Sequence, residues 1–124
     1  MLPYLNRDTV ELPITLVQDH TLFVILGHSD GRLWMEKADH VRGRGGMALV
    51  ITHPDYVSHE GLLDAYRALL GGFREDPGAW RALPREVSAW WRRRSASRLE
   101  PTARGWRIVG PAASEASVVY SSPR

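Results

Sequence analysis

The sequence of 124 residues predicts an α/β fold, and three observations carry that reading. Leu33, Trp34, Lys37, Ala38 and Val41 fall at spacings of three and four, the stripe of an amphipathic helix, and Gly43 and then Gly45-Gly46 stop it. Residues 47–52, MALVIT, then run without polar alternation, as in a strand covered on both faces by helices. A second helical stripe, Leu62, Leu63, Tyr66, Leu69 and Leu70, follows the turn THPDY. Helix, glycine and buried strand make half of a β/α unit.

The other elements are read in chain order. Residues 10–17 mix β-branched and apolar side chains around Pro13, which lacks a backbone donor and suits an edge or a strand end. Asp19 is placed to cap a short helix over residues 20–26, although Val24 and Ile25 suit a strand equally well. Gly71-Gly72 are expected to end the second amphipathic helix, and Asp76-Pro77-Gly78 to turn the chain. Pro84 fits the first turn of a further helix, on which Val87, Trp90 and Trp91 share a face. Beyond it, GWRIVG and ASVVYS read as two short strands of a hairpin-like tail joined by PAASE.

Bulk properties narrow the function classes. Sixteen Lys and Arg against fourteen Asp and Glu leave a net charge of +2, too small to argue for a nucleic-acid partner. With no cysteine, the chain has no disulfide, thiolate metal site or cysteine nucleophile. The first residues lack the apolar core of a signal peptide, and no window approaches the roughly 20 apolar residues of a membrane helix. A cytoplasmic protein with neither membrane nor nucleic-acid partner is expected.

His53 is the first candidate for chemistry. It follows the predicted strand directly, and in α/β sheets sites gather at the C-terminal ends of strands; the plain alternative is a loop histidine bonded to a nearby carbonyl. His53, Asp55 and His59 are metal-ligand types, but their spacing matches no familiar site and Pro54 breaks any shared helical face. In WWRRR the tryptophans read as core and the arginines as solvent groups at a helix C-terminus. GRGG precedes a strand and follows a helix, the reverse of a phosphate loop, and reads as a turn. Asp30 and Trp34 read as helix cap and core tryptophan.

Three blocks taken in order, VELPITLVQDHTLF, LWMEKADHVRGRGGMALVITHPDY and AWRALPREVSAWWRRR, resemble the C-terminal half of a bacterial branch of the polysaccharide deacetylase family, the NodB-homology enzymes. The likeness spans roughly residues 2–99. It implies part of a distorted (β/α) barrel, and a hydrolase that removes N-acetyl groups from amino sugars of a glycan with the help of a divalent metal ion such as zinc. LVITHPD resembles the late strand that carries the family's general acid, which gives that role to His53. Asp30 and Trp34 have the letters of the motif that supports this acid; Trp34, Asp55 and Tyr56 are the substrate-binding candidates.

The family's base and metal ligands come from a T-F-D-D-type strand end and an H-x-x-x-H pair, and neither occurs here. The resemblance therefore implies a chain that holds no metal of its own, with residues 1–99 the C-terminal portion of a deacetylase-like domain and 100–124 a β-rich tail. The opening residues read as a domain entered part-way, so that Met1 is expected to lie inside a longer reading frame. Otherwise the chain would pair with a separate N-terminal half or close its sheet as a homo-oligomer. The alternative function is a non-catalytic module whose Tyr56, Trp80, Trp90 and Trp91 stack on sugar rings or on a protein partner.

Overall fold

The computed structural model describes residues 1–58 and 61–120, with the side chain of Val57 left aside. It is a mixed helix-and-strand fold in two compact units, Met1–Pro3 with Leu12–Arg81 and Tyr4–Glu11 with Ala82–Arg124. Among the described residues both sheets are two-stranded and antiparallel, and no helix is long and apolar enough to cross a membrane.

The first unit is built around Leu16, Leu22, Phe23, Trp34, Ala65 and Leu69. Helix α1, Arg32–Arg42, buries Trp34, Ala38 and Val41, as its stripe predicts. Trp34 meets Phe23 edge-on at 5.2 Å between ring centroids, and its Nε1 donates to Val17 O at 2.5 Å, so the indole's polar atom is satisfied inside the core. Asp30 accepts the Arg32 N–H at 3.1 Å just ahead of the helix, and Gly43 to Gly46 form the expected turn back onto Val41 O and Arg42 O.

A short helix, α2, covers Pro54–Val57, and α3 covers Leu62–Glu75. The expected stop at Gly71-Gly72 is not found. A glycine in a helix interior costs only about 1 kcal/mol, and Gly72 gives room to Met35, whose Cε lies 3.0 Å from where a β-carbon would stand. The helix ends instead at Asp76, which takes an extended ψ of 109° because the ring of Pro77 disfavours helical backbone before it. Arg81 Nη1 collects the loose carbonyls of Phe73 and Arg74, both at 3.0 Å.

The predicted buried strand is present as an extended run but not as a covered sheet strand. Leu49 O accepts from Thr15 N and Leu16 N, Ile51 O from Asp19 N, and Thr15 Oγ1 bridges Met47 O and Leu49 N at 2.8 Å each. Among the described residues only one flank is bonded, and Ile51 remains 40% exposed. The strand predicted over 10–17 is confined to Thr9–Glu11, since Pro13 has no N–H with which to extend the ladder. Residues 20–25 form one wide π-helical turn, with Leu26 N reaching Thr21 O at 2.9 Å.

In the second unit β1, Tyr4–Asn6, pairs with β2, Thr9–Glu11. Helix α4, Pro84–Ser95, lies against β2, and Glu86 accepts the Leu83 N–H at 2.6 Å across its first turn. The tail hairpin differs from the expected one: GWRIV pairs backwards, β3 (Arg98–Thr102) with β4 (Gly105–Val109), while residues 116–120 form no strand. The two residues between Thr102 and Gly105 make the shorter loop, and Gly105 supplies the φ of 127° at its end.

Candidate functional site

Residues 15–19 and 47–53 run side by side in the first unit, and at their shared end stand Asp19 and His53. Asp19 has no exposed surface. Its Oδ1 accepts from His20 N at 2.8 Å and lies 2.8 Å from His53 Nδ1, while Oδ2 accepts the backbone N–H of His53. The expected cap role of Asp19 therefore exists, toward His20, and is one of three bonds.

Burial pushes the Asp19 carboxyl up, but the His53 N–H, the His53 ring and the His20 N–H together outweigh it and hold the group below the usual carboxylate range. An ionised carboxylate can only accept, so Nδ1 of His53 carries a proton and Nε2 is the ring nitrogen left for another molecule. The His53 side chain is 46% exposed, so part of the ring faces solvent. Local sequence produces this pose: His53 is in extended backbone, φ −115° and ψ 129°, and Pro54 starts α2 at once behind it.

Tyr56, the third residue of α2, stands between two imidazoles. Its ring centre is 5.7 Å from that of His53, nearly perpendicular, and 5.0 Å from that of His20. Asp55 is exposed at the second position of α2. Trp34 is fully buried and offers no surface to a substrate. Asp30 is far from supporting His53: its carboxylate holds Arg32, whose N–H and guanidinium keep it below the usual range. The structure thus joins His53 with Tyr56 and adds Asp19 and His20, which the sequence reading took as cap and helix residue. Only a 34-residue contact reveals Asp19, and no local pattern carries that.

Of the three expected metal-ligand types, His59 lies outside the described residues. Among those described, no three His, Asp or Glu side chains converge, and both Asp19 oxygens already face N–H donors. The described residues of the site offer no donor set for a divalent metal ion. A concavity of about 500 Å³ between α1 and α3, lined by Asp30, Met35, Glu36, Asp39 and Asp64 among others, shares no residue with the His53 site.

The three arginines at the C-terminal end of α4 are engaged within their own unit. Arg92 donates to Asp8 O, Arg93 pairs with Glu115 at 2.7 Å, and Arg94 lies 4.4 Å over the buried Trp91. Comparison with family models, characterised proteins and solved structures finds no match to this chain.

Proposed function

We propose that the chain is the C-terminal part of a polysaccharide-deacetylase-like catalytic domain of the distorted (β/α)-barrel class, in which His53 is the general acid toward an amino-sugar glycan. A cytoplasmic setting belongs to this reading. One observation carries it: a half-exposed histidine at the end of an extended segment, held at backbone and ring by a buried aspartate.

In this role Asp19 fixes the ring and the Nδ1–H tautomer and balances the charge of the imidazolium, and Nε2 gives its proton to the departing amine. Tyr56, packed against both imidazoles, limits ring rotation and borders the approach. The described residues do not fit the family's metal ion; activation of water would fall to other groups.

Turnover by the chain alone is therefore not the test. Imidazole NMR signals are followed while N-acetylglucosamine oligomers are added. The expected result is a saturable shift of the His53 signal, and of Tyr56 beside it. Signals that stay still at saturating oligomer would sink the assignment.

A second reading, a non-catalytic module that stacks aromatics on sugars, is favoured by Trp80, which is 62% exposed. Trp91 is removed from it by burial. Binding that survives His53→Ala and is lost in Trp80→Ala would select this reading over the first.

A further inference from the structure

We propose that residues 47–52 form a strand edge that pairs antiparallel with the same residues of a second copy, about a two-fold axis at Val50. The inference stands apart from the role given to His53. Its basis is an alternation along the backbone. Met47, Leu49, Ile51 and His53 all bond on one flank, to Met1, to residues 15, 16 and 19, or to both. In an extended chain the N–H and C=O of alternate residues point to opposite flanks. Those of Ala48, Val50 and Thr52 accordingly point to the other flank, and among the described residues they have no hydrogen-bond partner.

Three alternate residues with open donors and acceptors on one flank specify an extended chain as what covers them. A second copy fits for three reasons. First, an antiparallel pairing centred on Val50 sets Val50 against Val50 and Ala48 against Thr52, twice, so every open donor meets an open acceptor. Second, residues 45–54 carry no Lys, Arg, Asp or Glu, the charges with which exposed edges usually repel another strand. Third, the dyad brings the Arg44 end of each copy to the Asp55 end of the other. Asp55 is exposed with no side-chain partner among the described residues, so a cation meets a carboxylate at both ends. Ile51, 40% exposed, would be covered in the same step.

The chain has no cysteine, so a paired-cysteine experiment starts without background. In this register Leu49 faces Ile51 of the other copy as a non-hydrogen-bonded pair, about 4.5 Å between α-carbons, within reach of a disulfide. Sedimentation velocity on the wild-type chain should show a dimer. Leu49→Cys mixed with Ile51→Cys should, on mild oxidation, yield the mixed disulfide well above either variant alone. Ile51→Lys, checked for native circular dichroism, should sediment as a monomer. A monomeric wild type, a dimer that gives no mixed disulfide, or a dimer that persists in folded Ile51→Lys each overturns the proposal.

Discussion

The buried carboxylate of Asp19 and the half-exposed ring of His53 meet at 2.8 Å, and the same carboxylate also takes the His53 backbone N–H. Position and orientation of the histidine are thus set by one side chain. Asp19→Asn keeps the shape but turns one acceptor into a donor facing an N–H. Denaturant unfolding should show a loss of about 1–3 kcal/mol, the cost of a buried hydrogen-bonding group left unpaired. An unchanged midpoint would mean that the carboxylate is not holding His53.

Acid should act on the same contact. The folded pKa of Asp19 lies below that of the unfolded chain, about 3.9 for a free aspartate, so its contribution is complete above that pH and is lost as pH falls through the lower folded value. Wild-type stability should therefore decline below about pH 4 more steeply than that of Asp19→Asn. Parallel curves of unfolding free energy against pH would refute this. Asp30 and Glu100 are lowered too, but both are partly exposed and their ion pairs with surface arginines are screened.

Two glycines should answer alanine with opposite sign. Gly71 lies inside α3, and a β-carbon there would meet nothing within 4 Å, so Gly71→Ala should stabilise by about 0.5–1 kcal/mol. Gly110 has a φ of 127°, and its β-carbon would stand 2.8 Å from Ser97 Cα. Gly110→Ala should destabilise, by about 1–3 kcal/mol for the strained backbone alone. Thermal melts of the two variants decide the matter, and a shared sign would contradict the packing described.

Trp34→Phe keeps an aromatic ring in the core but removes the donor to Val17 O. A loss of about 1–3 kcal/mol follows from the unpaired carbonyl and the smaller ring. A variant as stable as wild type would show that the indole bond contributes nothing.

The sequence was most legible where periodicity and punctuation agreed. Leu33, Trp34, Ala38 and Val41 placed α1, and Pro84 placed the start of α4. It misled where a local signal was overruled by packing: Gly72 reads as a stop but leaves room for Met35, and Pro77 does the stopping. GWRIV carried β propensity without naming its partner, and the nearer Arg98–Thr102 won. His53 and Tyr56 stood out as candidates, and the structure puts them in contact. Asp19 did not, because a short polar residue before a helix has an ordinary reason to be there. Trp34 was drawn toward a site by its letters, while its burial makes it a core residue.

The separation of 34 positions from Asp19 to His53 has a kinetic meaning. Bringing two such distant residues together costs loop-closure entropy of about 3 kcal/mol, from the logarithmic dependence on loop length, and the loop contains the whole of α1. The imidazole cannot be held in place by any fragment or loosened state that has not closed this loop. An environment-sensitive signal from His53 would consequently time the arrival of native topology, later than the local coiling of the helices, and any function that needs the oriented ring switches on only at that moment.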